Sequence, residues 1–140
     1  MKLTTEKIRN AFNLLSSSKG YTLEDAARIE LVKIRAALRP IAIAYEEFEK
    51  DAVEYLKFED LDALNAKAQS NALLGDDLLK WNTGVIQYNK ALTNLRGPEL
   101  SREHEIESPQ ISLATYLKLE KENKWDMGAE DILQPFIKEA

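Results

Sequence analysis

The fold is decided by one stretch of sequence, ARIELVKIRAALRPIAIAYEEFEKDAVEY, which covers residues 27–55. Apolar residues recur in it with alternating spacings of four and three, which is the heptad pattern of an amphipathic helix. These residues, called the seam below, are Ala27, Leu31, Ile34, Leu38, Ile41, Tyr45, Phe48, Ala52 and Tyr55. Pro40 removes one helical hydrogen bond, but the spacing continues in phase beyond it. The sequence therefore predicts one helix over residues 22–58 with a kink near residues 36–40.

Further helices are predicted on both sides of this one. A short helix over residues 5–18 has an apolar face formed by Ile8, Ala11, Phe12 and Leu15. A long helix is expected over residues 60–96, where Gly97 and Pro98 follow as a stop signal. Its apolar spacing becomes irregular over residues 71–77, which predicts a break there. Because the two long helices are similar in length and joined by few residues, they should fold back on each other as an antiparallel hairpin.

The last part of the chain has a different pattern. Residues 103–107 and 110–113 resemble short strands on either side of the Ser108-Pro109 turn, which predicts a small two-stranded ribbon. Short helices are expected over residues 114–122 and 129–137. The apolar residues expected to cover the open end of the hairpin are Leu117, Trp125, Ile132, Leu133, Phe136 and Ile137.

The predicted fold class is mainly α, with a long antiparallel helical hairpin, a short N-terminal helix and a small C-terminal segment. The chain has 140 residues, 44% hydrophobic and 31% charged, which fits one soluble domain. We expect a single domain over residues 1–140, with residues 1–97 as the hairpin core and residues 98–140 as a covering segment. No apolar run of about 18 residues and no secretory signal occurs, so we expect no membrane association and a cytoplasmic location.

Several classes of chemistry lack the residues they need. There is no Cys, which excludes disulfides, thiolate zinc sites and cysteine nucleophiles. The one His, His104, lies between Glu103 and Glu105, and strand alternation would place it on the face opposite to both. We expect it to be a solvated strand residue rather than a metal ligand or a general base. The long helices contain no Glu-x-x-His pattern, so we predict no catalytic residue, cofactor, metal site or small-molecule substrate, and a protein that is not an enzyme.

The net charge of −5 argues against a dedicated nucleic-acid binder, because affinity for phosphates comes largely from Lys and Arg. The charge is unevenly distributed: residues 1–45 carry +4, residues 46–60 carry −5, residues 61–96 carry +1 and residues 97–140 carry −5. The chain thus has a basic first third, an acidic block at the predicted bend and an acidic tail. This polarity suits the orientation of a partner better than the turnover of a substrate.

The candidate partner-binding residues lie on the seam helix and are Arg28, Arg35, Arg39, Glu46, Glu47 and Glu54. The three arginines are seven and four residues apart, so they share one side of the helix. Ion pairing across the hairpin or to the acidic tail explains them, and a phosphate-binding patch is the alternative. The aromatic residues expected to pack in the core are Tyr45, Phe48, Tyr55, Trp81 and Tyr88.

Five short motifs along the chain have a familiar pattern. They are Lys2-Leu3, Leu38-Arg39-Pro40, Tyr45-Glu46-Glu47, Ile111-Ser112-Leu113 and Ile132-Leu133-Gln134-Pro135-Phe136-Ile137. With these motifs the chain resembles small uncharacterised proteins of tailed phages and prophages. The resemblance implies a phage or prophage origin and a gene neighbourhood of virion or tail-assembly proteins. It carries no catalytic or binding residues over to this chain.

Three hypotheses for the function remain open. The first is a non-enzymatic interaction or assembly protein that acts through the helical hairpin, with a protein partner or by self-association, in the host cytoplasm or the virion. The second is a regulator that binds nucleic acid through the basic side chains Lys7, Arg9, Arg28, Arg35 and Arg39. The third is an enzyme that uses helix carboxylates and a divalent metal ion.

Overall fold

The computed structural model describes residues 1–138 and confirms a mainly α protein with a small antiparallel sheet. In chain order its elements are β1 (Lys2–Thr4), α1 (Thr5–Ser16), α2 (Asp25–Leu56), α3 (Leu61–Gln69), α4 (Asp76–Ser101), β2 (Glu103–Glu105), α5 (Leu113–Asn123) and α6 (Met127–Leu133), followed by a 3-10 turn over Gln134–Phe136. In this described part of the chain, no helix is both long enough and apolar enough to cross a membrane.

Three of the helices begin where a side chain accepts a hydrogen bond from an otherwise unpaired backbone amide. Thr4 Oγ1 accepts from the amide of Lys7 at 3.2 Å before α1, and Ser112 Oγ accepts from the amide of Thr115 at 3.1 Å before α5. Asp126 Oδ1 does the same for α6. Such caps each stabilise a helix by about 1 kcal/mol, and they fix the helix starts from local sequence alone.

The seam helix is continuous, as predicted. α2 extends from Asp25 to Leu56 with Pro40 inside it. Because Pro40 has no N–H, the carbonyl of Ala36 loses its helical hydrogen bond. Both residues are exposed, so water can hydrate that carbonyl. Most of the seam is buried or half-buried, but Tyr55 is 87% exposed, which corrects its assignment to the core.

The predicted third helix is two helices. α3 and α4 are separated at the expected break, where Asn71 and Gly75 have positive φ angles of 56° and 58°. The predicted stop at Gly97 and Pro98 is wrong, because α4 continues through both to Ser101. Pro98 and Asn94, the residue whose carbonyl Pro98 leaves unpaired, are both exposed, so solvent can again satisfy that carbonyl.

The predicted ribbon is wrong in its pairing. β2 pairs antiparallel with β1 at the start of the chain, with Leu3 opposite His104. The segment expected to be its partner instead forms a single parallel bridge, Ile111 to Ile137, and leads into α5. Leu3 and Ile106 are both buried, so the pairing of distant segments places apolar side chains in the core, which a local turn could not do.

The chain forms two compact units. Unit 1 comprises residues 1–45 together with the described residues from 100 onward, and unit 2 comprises residues 46–99. The core cluster lies in unit 1 and consists of Leu3, Ile8, Ala11, Leu15, Leu23, Ile34, Leu38, Ile106, Ile111, Tyr116, Leu119, Leu133, Phe136 and Ile137. The apolar spacing predicts a core along the whole hairpin. In the described part of the chain, the core cluster instead lies where α1, the first half of α2 and the C-terminal helices meet. Leu117, expected to help cover the core, is half-exposed.

Unit 2 contains the end of α2, α3 and most of α4, and it buries few side chains. Its buried hydrophobic residues within the described chain are Ala52, Leu61 and Leu64. The end of α2 runs antiparallel to α4. Glu49 on α2 pairs with Arg96 at 3.7 Å, while Phe58, two residues beyond the end of α2, packs on the earlier α4 residue Gly84. This part of the hairpin therefore forms as predicted, but with a thin core.

Candidate functional site

Arg28 is committed to a local structural role. Its Nε and Nη2 atoms each donate a 2.9 Å hydrogen bond to a backbone carbonyl, of Gly20 and of Tyr21 respectively, and Nη1 forms a 2.9 Å ion pair with Asp25. The arginine thus attaches the turn before α2 to the first turn of that helix. The expected ion pair across the hairpin or to the tail is wrong for Arg28, because its carboxylate partner is three residues away.

Arg35 connects α2 to α1. Its Nε donates to Ser16 Oγ at 3.1 Å, and its guanidinium carbon lies 5.6 Å from the centre of the Phe12 ring, within cation–π range. Among residues 1–138, no carboxylate lies within ion-pair distance of Arg35 or Arg39. Both arginines are exposed, so the remaining N–H groups of Arg35 face solvent at the surface of unit 1.

An open groove of about 470 Å³ lies in unit 1 between the end of α1 and the start of α2. It is lined by Leu15, Ser16, Ser18, Gly20, Tyr21, Arg28, Leu31, Val32 and Arg35. Two of its apolar residues are strongly exposed, Tyr21 at 77% and Val32 at 66%. The groove therefore combines guanidinium groups with an apolar wall.

The predicted acidic residues all lie on the surface of unit 2. Glu46, Glu47 and Glu54 are exposed on the second half of α2. Among the described residues they form no ion pair, so their charges remain solvated. The ion pairs described in unit 2 connect other positions. They are the Glu49–Arg96 pair noted above and two pairs at 2.6 Å, Lys57 with Asp62 and Lys67 with Asp77. The hydrogen bond from Lys67 lowers the pKa of Asp77 and joins the end of α3 to the start of α4.

α4 leaves much of its apolar surface uncovered. It has no buried residue along its 26 residues. Its predicted face is half-buried at Trp81, Val85, Tyr88 and Leu92 and exposed at Leu78 and Leu95. Leu74, assigned to the same face, precedes the helix and is exposed.

A second apolar surface on α4 was missed by sequence analysis. Leu79 is 66% exposed and Ile86 is 67% exposed, and their spacing of seven residues places them on one side of the helix. Together with their neighbours at spacings of three and four they form what we call the α4 strip, which is Asp76, Leu79, Thr83, Ile86 and Lys90. All five residues are exposed. The heptad spacing was the available signal, but the stronger apolar pattern on the other face of α4 obscured it.

His104 is a structural residue rather than a solvated one, which corrects the expectation. It is half-buried, and its Nε2 atom lies 2.8 Å from Oγ1 of the buried Thr5. The amide of Thr5 also donates to the carbonyl of Arg102 at 3.0 Å. These hydrogen bonds attach the first residue of α1 to β2 and to the residue before it, next to the pairing of β1 with β2. Within residues 1–138 no three His, Asp or Glu side chains are grouped as metal ligands.

The comparisons with known proteins add no relative to this description. No family model, no curated protein and no solved structure matches the chain. The fold and the surfaces themselves define the class: a mainly α protein with a packed unit 1 and a thin-cored unit 2 that exposes apolar helix surface.

Proposed function

We propose that this protein is a non-enzymatic interaction protein that assembles with another protein chain through the exposed surface of α4. The observation that carries the proposal is the burial of α4: a helix of 26 residues without one buried side chain. Covering a large aliphatic side chain is worth about 1.5–3 kcal/mol, so Leu79 and Ile86 alone offer a partner a substantial gain. Paired exposed aliphatic residues on one helix face are typical of a binding surface.

The basic side chains of unit 1 support a protein partner over nucleic acid. Of the five basic residues in the nucleic-acid alternative, three interact with groups of their own chain. Arg28 and Arg35 are held as described above, and the guanidinium carbon of Arg9 lies 4.4 Å from the centre of the Tyr45 ring. Phosphate binding would have to compete with these contacts, which weakens the electrostatic basis of that hypothesis.

We extend the proposal to a phage or prophage setting on the basis of the sequence resemblance described above. An assembly protein of a tailed phage would act in the cytoplasm of the bacterial host or as part of the virion. In either place its partners would be proteins present at high local concentration, which suits an interface of modest area.

The test compares association of the wild-type chain with two variants. Ile86→Lys places a charge in the α4 strip, and Ile29→Lys places one at a similarly exposed aliphatic position on α2 in unit 1. Self-association is measured by light scattering coupled to size-exclusion chromatography, at protein concentrations that span about a hundredfold range. Capture on the immobilised chain, followed by mass spectrometry, measures binding of host or phage proteins.

We expect association that Ile86→Lys abolishes and Ile29→Lys preserves, with circular dichroism unchanged for both. The proposal is overturned if the wild-type chain stays monomeric and every protein that it captures is captured equally well by Ile86→Lys.

A further inference from the structure

We infer that the partner of the α4 strip is the same strip of a second copy, packed antiparallel about a two-fold axis close to Thr83. This inference rests on the proposed function and deepens it, because it names the partner and the packing geometry. Two-fold pairs are the commonest arrangement of identical chains, and they require a surface that is complementary to itself. The α4 strip meets that requirement in its charges, its apolar side chains and its small central residue.

The charges of the strip are complementary only when the helices are antiparallel. Asp76 and Lys90 lie seven residues before and seven residues after Thr83. Reversing one helix about Thr83 therefore brings Asp76 of each copy beside Lys90 of the other, and the ion pair occurs twice. A parallel pair would place each charge against its own counterpart, which is repulsive. Neither side chain forms an ion pair within the described chain, so both remain available.

The apolar side chains follow the same symmetry. Leu79 lies four residues before Thr83 and Ile86 lies three residues after it. In the reversed pair Leu79 of one copy comes level with Ile86 of the other to within about 1.5 Å, the rise of one helical residue. The small side chain of Thr83 permits close approach of the two helices at the axis. The residues flanking the strip include Asn82 and Gln87, so no like charges meet beside the centre.

The first experiment is a charge reversal with rescue. Asp76→Lys and Lys90→Asp each replace two attractive pairs by two repulsive ones, and we expect each variant to weaken dimerisation by about tenfold at low salt. The double variant restores opposite charges at both positions and should recover wild-type dimerisation. Lys118→Asp on α5 in unit 1 changes the net charge as much as Lys90→Asp does and should have no effect. Recovery in the double variant also excludes misfolding, since it retains both substitutions.

The second experiment reads the orientation directly by cysteine cross-linking. Because the chain has no cysteine, an introduced thiol reports on one position only. Thr83→Cys should form a disulfide-linked dimer under mild oxidation. Asp76→Cys should not cross-link to itself, since antiparallel packing separates the two thiols by about 21 Å along the helix axis. An equimolar mixture of Asp76→Cys and Lys90→Cys chains should give the mixed dimer.

The outcomes separate this inference from the proposed function. Self-linking of Asp76→Cys, or no rescue by the double charge reversal, overturns the antiparallel pair. If Ile86→Lys still abolishes association in that case, binding through α4 stands and another geometry or partner applies. A wild-type chain that is monomeric at every concentration also overturns the second copy as partner, while an Ile86-dependent capture of another protein would leave the proposed function intact.

Discussion

Replacing Tyr116 by Phe should stabilise the protein, although tyrosine fits the site by shape. Tyr116 is 0% exposed, and its ring centre lies 6.2 Å from that of Trp125. Its hydroxyl forms no hydrogen bond of good geometry among the described residues, and the Glu120 carboxylate four residues along the same helix interacts with it only loosely. A buried polar group without a partner costs about 1–3 kcal/mol of desolvation, and Tyr116→Phe removes that group while keeping the ring.

We expect the free energy of unfolding at pH 7 to rise by about 1 kcal/mol in Tyr116→Phe, allowing for partial relaxation of the site. Tyr116→Ala is the contrasting variant, because it empties the space of a buried ring and should cost about 3–5 kcal/mol. Urea denaturation followed by circular dichroism measures both changes. The expected changes in the free energy of unfolding have opposite signs for the two variants, which separates the cost of burying the hydroxyl from the stabilisation that the ring provides.

The pH dependence supplies a second measurement on the same residue. Burial raises the pKa of Tyr116 well above the ordinary tyrosine value of 10.0, and the nearby carboxylates of Glu120 and Glu130 raise it further. The unfolded chain therefore loses this proton near pH 10 while the folded chain keeps it. This group leaves the free energy of unfolding unchanged below pH 10. Above pH 10 ionisation favours the unfolded chain, so the free energy of unfolding falls by about 1.4 kcal/mol per pH unit. Tyr116→Phe should remove that part of the slope between pH 9 and 11.

Two results would refute this reasoning. If Tyr116→Phe lowers the free energy of unfolding by 1 kcal/mol or more, the hydroxyl is satisfied in the folded protein. If the wild type and Tyr116→Phe lose stability with the same slope above pH 10, burial does not hold the phenol neutral. Circular dichroism of the folded variant at pH 7 serves as the control for an unchanged fold.

Further substitutions test the packing of both units. Leu38→Ala, at a fully buried position of the core cluster, should cost about 2–5 kcal/mol in urea denaturation, and a loss below 1 kcal/mol would contradict its place in the core. Thr5→Val removes the hydroxyl beside His104 and should cost about 1–2 kcal/mol by the same method, whereas a neutral result would show that the hydrogen bond between the start of α1 and β2 contributes nothing. Alanine favours a helix over glycine by about 1 kcal/mol, but a Cβ on Gly84 would lie 2.7 Å from the Phe58 ring. Gly84→Ala should therefore stabilise α4 only in a Phe58→Ala background, where that ring is absent. Equal thermal shifts in both backgrounds would contradict that close contact.

The helices of this protein follow from local sequence. Apolar spacing defines α1 and α2, a capping residue fixes the start of α1, and the break around Gly75 follows from the irregular spacing there. These features depend on residues at most four positions apart, which is why the sequence alone identifies them. The groove and the α4 strip are harder to predict from the sequence. Arg35, for example, is evident as a basic residue, but its hydrogen bond to Ser16 depends on how α1 packs against α2.

The burial of individual residues and the pairing of distant segments depend on the tertiary structure and do not follow from local sequence. β1 pairs with β2 because Leu3 and Ile106 enter a common core, and nothing within either segment specifies the other. Spacing places Tyr55 on the same helix face as Leu38, yet one is exposed and the other buried. A periodic pattern fixes the direction in which a side chain points, but its burial requires another segment on that side. For the exposed face of α4 the structure supplies no such segment within the described chain, and that is the physical basis for the proposed association.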